Sequence, residues 1–188
     1  MKRLATLVLV ACLVAVACGG KTKAVDSVAD LKPATEGVPG VVVVPTSGRN
    51  HVNGHVDYPT SPPAGGNHNP VWQNCGFYTV TLTNEYAVHS LEHGAVWITY
   101  TQSVDRAIKD TLAAKAKTQP YLLVSLYPDN PTPIVVTAWA RQLRMATYDD
   151  ALVNQFISVY AQDGPTTPEV GAACRGGIGV PPDRPTST

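Results

Sequence analysis

Two charged residues, Lys2 and Arg3, followed by 14 uninterrupted apolar or small residues, Leu4 to Ala17, decide where this chain folds before any of its folding pattern is read. A membrane-spanning helix needs about 20 apolar residues, so this run is too short to span and matches the hydrophobic core of an export signal. It ends in Val16-Ala17-Cys18-Gly19, small residues set around a cysteine, which resembles a bacterial lipobox in which the cysteine is acylated and becomes the new N-terminus. Leu9-Val10-Ala11-Cys12 fits the pattern locally, but cutting there leaves Leu13 to Ala17 stranded on the mature protein. The expectation is therefore a signal peptide over residues 1–17, lipidation at Cys18 and an extracytoplasmic domain held to the cell membrane by its acyl anchor.

That compartment constrains the cysteines. With Cys12 in the signal and Cys18 lipidated, Cys75 and Cys174 are the two that remain. In an oxidising space two thiols most simply pair, and closing a loop of about 100 residues stabilises by roughly 3–5 kcal/mol in the chain-entropy picture. The competing reading is a metal-ligating or redox thiol, against which stands the absence of a CxxC pair.

Charge removes other function classes. The chain carries 14 basic and 14 acidic side chains. Removal of residues 1–17 with Lys2 and Arg3 leaves 12 basic against 14 acidic. Such a surface lacks the basic face that nucleic acid requires, so no nucleic-acid partner is expected. It also gives membrane attachment no electrostatic source, leaving the lipid to supply it. No protein partner is indicated.

Residues 18–40 show no sustained periodicity and read as a lipidated flexible tether. The globular domain is expected over 41–178, opening with the β-branched run Val41 to Val44, and 179–188 as a disordered tail. Residues 45–76 are dense in Pro, Gly, Asn and Ser and form a long loop; a loop of that length in a compact domain is disordered or functional. Strands are predicted at Phe77 to Thr83, Gly94 to Tyr100, Tyr121 to Tyr127 and Ile134 to Trp139, the last two as a hairpin around Pro128-Asp129-Asn130-Pro131. Helices are predicted at Val104 to Lys117 behind a Ser103 cap and at Asp149 to Tyr160, where apolar residues recur at helical spacing. The order predicts a single α+β domain, a mostly antiparallel sheet with two helices on one face, ferredoxin-like as one option.

All five histidines, His51, His55, His68, His89 and His93, lie between positions 51 and 93. His51 and His55 are four apart, as are His89 and His93, a spacing that puts both imidazoles of a pair on one face of a helix or a strand. Imidazole suits zinc, copper, nickel and iron. His89-Ser90-Leu91-Glu92-His93 is not the HExxH of zinc proteases. By spacing alone, a metal site and structural histidines both remain open.

Pro62-Pro63-Ala64-Gly65-Gly66-Asn67-His68, Trp72-Gln73-Asn74-Cys75-Gly76, the run from Ala87 through His89-Ser90-Leu91-Glu92-His93-Gly94 to Tyr100, Ala138-Trp139-Ala140-Arg141-Gln142-Leu143, and Pro168-Glu169 with Cys174 together resemble the bacterial domain-of-unknown-function family numbered 3105. The resemblance covers roughly residues 48–178, and the chain looks like a lipoprotein member. It matches the family pattern at His51, His68, His89, Glu92 and His93, and leaves His55 outside it. The expected metal set is His68, His89 and His93 with His51 as a fourth ligand and Glu92 orienting an imidazole from behind, its alternative being an ion pair with Arg141 or Arg144. Met145 and the three tryptophans are expected in the core.

Three functions follow from these residues. The first is a surface-anchored protein that binds a transition metal, copper or zinc. The second is a metal-dependent hydrolase with Glu92 as general base. The third is a non-catalytic envelope module whose histidines only fasten the long loop to the sheet. No Gly-x-Ser-x-Gly elbow or phosphate loop is present, which leaves metal-free hydrolase chemistry unsupported.

Overall fold

The computed structural model describes residues 31–179. Ten elements follow one another: β1 (Lys32–Pro33), β2 (Val42–Val43), β3 (Gly76–Phe77), α1 (Asn84–Glu92), β4 (Val96–Tyr100), α2 (Arg106–Thr118), β5 (Leu122–Leu126), β6 (Ile134–Ala138), β7 (Arg141–Met145) and α3 (Asp150–Tyr160). The strands form one sheet in the order β1-β2-β7-β6-β4-β5-β3. β1 through β4 along that order pair antiparallel, while β5 runs parallel to both β4 and β3. The expected α+β domain with a mostly antiparallel sheet is what the chain forms. The ferredoxin-like option fails, because β4 and β5, joined through α2, are directly paired and parallel, whereas the split βαβ unit of that fold sets another strand between them.

Alternation along β4 sets up two cores. Val96, Ile98 and Tyr100 join Leu122, Val124, Ile134 and Val136 on one face, where Leu112 and Ala116 of α2 and Val153, Phe156, Ile157 and Tyr160 of α3 cover them. The i, i+3, i+4, i+7 spacing of the α3 set is the pattern that buries one helix stripe, and Asp149 caps its start by accepting from the Leu152 amide. Met145 is in this core, as expected. On the other face Trp97 and Leu123 pack with Trp139 and with Ala87, Val88 and Leu91 of α1. The two predicted helices thus share a face, and a third, unpredicted one lies behind the sheet.

Four expectations are corrected. The strand foreseen at Phe77 to Thr83 stops at Phe77, and the chain enters α1 at Asn84. Strands β5 and β6 are not a hairpin: β6 pairs with β4 and β7, and the tight turn is at Trp139-Ala140, with Ala140 at φ +57°. The cap of α2 is Asp105, not Ser103. The tether does not extend to residue 40, since β1 pairs with β2, Leu31 and Val38 are buried, and Glu36 makes an ion pair with Arg141. Residues 1–30, which carry the expected signal peptide and lipidation at Cys18, and residues 180–188 of the expected tail lie outside the described residues. Among the described residues no helix is long and apolar enough to cross a membrane.

Candidate metal centre

Helix α1 carries the site, and its local sequence explains its shape. Residues Ala87 to Glu92 are all buried. At its end His93 takes the cap position, Gly94 adopts φ +90°, the Gly94 amide donates to Leu91 O and the Ala95 amide to Ser90 O. This is a Schellman termination, which needs a left-handed residue after the cap. A Cβ at Gly94 would meet Gln162 O at 2.3 Å, so packing as well as conformation demands glycine there. The helix therefore ends one turn after His89, leaving His89 and Glu92 side by side, three residues apart, on its inner face.

The long loop brings the other imidazoles. His51 and His68 form an isolated parallel bridge: the Val52 amide donates to His68 O at 2.7 Å and the His68 amide to Asn50 O at 3.1 Å. Asn67 reinforces it, its side-chain oxygen accepting from the Asn50 amide and its carbonyl from the Tyr58 hydroxyl, both at 2.9 Å. Gly65 lies against Trp139, where a Cβ would come within 3.1 Å of the indole. At the other end of α1, Glu85 accepts from the Val56 amide at 2.8 Å. One carboxylate per end of the helix thus faces the loop.

Three imidazoles meet at one carboxylate oxygen. Glu92 Oε2 is 2.9 Å from His68 Nε2, 3.6 Å from His51 Nε2 and 4.0 Å from His89 Nε2, and one donor atom from each of the four residues falls within 4.8 Å of all the others. Two Nδ1 protons are fixed. His68 Nδ1 is 2.8 Å from Gly66 O and His89 Nδ1 is 2.7 Å from Asn69 O. A carbonyl only accepts, so each Nδ1 carries the proton; His89 Nε2 is then left with a lone pair, while the 2.9 Å hydrogen bond between His68 Nε2 and Glu92 Oε2 holds one shared proton between two groups that otherwise only accept. Burial lowers the His89 pKa to about 4, helped by the neighbouring imidazoles and opposed by the Asn69 bond, so at neutral pH this ring is uncharged. The His89 lone pair and the His68 hydrogen bond thus converge on a carboxylate that is 1% exposed. A cation at this point would replace the shared proton and take up the His89 lone pair.

The four residues are unequally exposed: His68, His89 and Glu92 are buried and His51 is 47% exposed. Glu92 Oε1 accepts no hydrogen bond among the described residues and lies 3.3 Å from Arg49 Nε. Trp139 meets His68 edge-on at 5.9 Å, and Trp72 meets His89 at 5.6 Å. Trp97 and Trp139 are core residues as expected, whereas Trp72 is a wall of the histidine cluster.

A family model described as a protein of unknown function, DUF3105, matches residues 51–176. The chain belongs to this family. No curated protein and no solved structure matches it. The DUF3105 span starts at His51 and takes in His68, His89, Glu92 and His93, together with Cys75 and Cys174, which are disulfide-bonded with Cα atoms 5.4 Å apart.

Of the four expected histidines, His51, His68 and His89 converge and His93 does not. His93 is the helix cap, where the chain leaves α1; its Nδ1 is 2.8 Å from Ala173 O and its Nε2 is 3.5 Å from Glu169 Oε2, so it faces the C-terminal segment. Glu92 is not behind an imidazole but at the convergence itself. Its cation is Arg49, since Arg141 is taken by Glu36 and Arg144 donates to Gln142. His55 is exposed beside Asp57 and Glu85. Arg49 was missed; its only sequence signal is its place two residues before His51.

Proposed function

We propose that this DUF3105 chain is an extracytoplasmic lipoprotein, acylated at Cys18, that binds a transition-metal ion, copper or zinc, through His51, His68, His89 and Glu92. One observation carries the reading: three Nε2 atoms, two of them on rings whose Nδ1–H is held by a backbone carbonyl, point at a single buried carboxylate oxygen. Backbone carbonyls holding Nδ1–H are the usual partners of ligating histidines, because they orient the ring and raise the basicity of Nε2. A tetrahedral ion with bonds of about 2.0–2.1 Å has ligand–ligand edges of roughly 3.3 Å. The separations of 2.9, 3.6 and 4.0 Å around Glu92 Oε2 bracket that edge. Three nitrogens and one oxygen suit zinc or copper(II) better than the all-oxygen preference of calcium or magnesium.

Binding is favoured over metal-dependent hydrolysis because Glu92 Oε2 sits among the imidazoles and the other oxygen, buried, lies 3.3 Å from the Arg49 guanidinium, whose charge weakens it as a base. A general base needs a free oxygen within reach of water. The test is elemental analysis of the purified untagged protein, followed by titration with Zn(II) and Cu(II). Tight uptake that is lost in His68→Ala and His89→Ala supports the reading; uptake unchanged by both removes it and leaves histidines that only fasten the loop. Anchoring is supported by the charged start, the apolar run and the lipobox-like Val16-Ala17-Cys18-Gly19. Metabolic labelling with a fatty acid should label the wild type and not Cys18→Ala; a Cys18→Ala chain that still labels places the acyl group elsewhere.

A further inference from the structure

His93 has a side chain that the fold does not use for closing α1. The termination is made by backbone amides, and the ring is nonetheless buried and fixed, with Nδ1–H donating to Ala173 O at 2.8 Å. As at His68 and His89, the proton is fixed on Nδ1, which leaves Nε2 as the ring atom able to coordinate an ion. It too faces a carboxylate, Glu169 Oε2, at 3.5 Å. That separation is beyond the range of a charge-assisted hydrogen bond, about 2.7–2.9 Å, and close to the ligand–ligand edge of roughly 3.3 Å for an ion held at about 2.0–2.1 Å.

The position of Glu169 is built rather than incidental. Its amide donates to Glu92 O at 3.1 Å, tying it to the residue at the centre of the first cluster, and the segment that carries it is held by the Cys75–Cys174 disulfide. Its side chain is 45% exposed, whereas that of His93 is 6% exposed. The His93 ring centroid is 4.4 Å from that of His89, at 80°, and 4.9 Å from the Trp72 ring.

We infer that His93 and Glu169 form a second, outer metal position beside the His51–His68–His89–Glu92 cluster, taking the same class of divalent transition metal. The inference rests on the metal reading of that cluster. With two protein ligands, the remainder of the coordination being water, the outer position is the weaker of the two and fills second. It accounts for a buried imidazole that the inner cluster leaves out.

Calorimetric titration of the full chain with Zn(II), repeated with Co(II) for its optical spectrum, tests this. The wild type is expected to take one tight equivalent and then a second, weaker one. His93→Ala and Glu169→Gln should each weaken the second equivalent tenfold or more and leave the first in place. Glu169→Gln keeps the backbone bond to Glu92 and changes a half-exposed group, so it reports even where His93→Ala perturbs folding. A wild type that takes a single equivalent overturns the outer position. So does a second equivalent unchanged by both variants, or one removed by His55→Ala, whose imidazole faces Asp57 and Glu85. Loss of both equivalents together in Glu169→Gln also overturns it, by making one site of the two. Failure of the wild type to take up any ion is a different result, and it removes the inner site as well.

Discussion

Replacing Glu92 by Gln separates a metal ligand from a structural ion pair, because the two roles predict opposite effects on the metal-free protein. The substitution keeps shape and removes the charge. Without metal, wild-type Glu92 Oε2 shares one proton with His68 Nε2 across 2.9 Å and faces the His89 lone pair, and a Gln amide can instead donate to a neutral His68 Nε2 across the same distance. The metal-free variant should therefore unfold no more easily than the wild type. Metal binding should collapse. Apparent binding free energies of about 10–16 kcal/mol for four-ligand zinc sites, divided over four donors, give about 2.5–4 kcal/mol for one, or a roughly 10²–10³-fold loss of affinity. Thermal unfolding with and without Zn(II) reads both effects. At a zinc concentration about 100 times the wild-type Kd, binding stabilises by about 2.7 kcal/mol, and at about 2–4 °C per kcal/mol for a chain of this size the wild-type Tm rises by about 5–11 °C. With affinity down about 100-fold the same zinc gives roughly 0.4 kcal/mol, a rise of about 1–2 °C. The reasoning is refuted if Glu92→Gln lowers the metal-free stability by about 3–5 kcal/mol, the cost of breaking a buried ion pair, while the zinc-induced rise is unchanged.

Three further outcomes are expected. The His89 pKa is depressed to about 4, so between about pH 6.5 and pH 4 the unfolded chain binds a proton that the folded chain refuses; stability is fully present above pH 6.5 and falls with acid through that window by up to about 3 kcal/mol, and His89→Gln in urea unfolding at pH 5 and pH 7 should flatten the slope. Gly94→Ala should cost at least about 1–3 kcal/mol, from a left-handed φ and a clash with Gln162 O, and should lower zinc affinity with it; an unchanged melting temperature contradicts the close packing. Cys174→Ser should lower stability by about 3–5 kcal/mol, as expected for opening a loop of 99 residues, which denaturant unfolding under non-reducing conditions measures.

How much of this was legible follows from what each pattern records. Strands β4 and β6 and helix α3 declare themselves because each buries an unmixed apolar set at a clean period. Helix α1 hides because it is buried nearly all round and carries His89, Ser90 and Glu92 among its inner residues, so no amphipathic stripe marks it. Gly94 was its one boundary signal, and it reads equally as the start of a strand. The hairpin between β5 and β6 was misread because Pro128 to Pro131 has turn composition, whereas Trp139-Ala140, the real turn, has none. Of the site, the four-residue spacing of His89 and His93 suggested a pair, but the helix ends between them in effect, sending one inward and the other to the C-terminal segment. The pairing of His51 with His68 depends on a two-amide bridge in a loop, which spacing does not encode. Cys75 and Cys174 were legible by elimination, since the export and lipidation expected from the sequence leave them as the remaining pair.

The uneven exposure of the four converging residues has a kinetic meaning. Two imidazoles and the carboxylate are locked in the interior, two of those three on a helix whose end is pinned by backbone bonds, while His51 stands half in solvent on a loop strand held by two amides. Departure of an ion would begin at His51, because that bond alone can be replaced by a donor arriving from outside before any other is broken. Its residence time is then set by how often the bridge between His51 and His68 opens, and an incoming ligand shortens it in proportion to its concentration. The loop, more than the strength of any single coordinate bond, fixes whether such a protein stores an ion or passes it on.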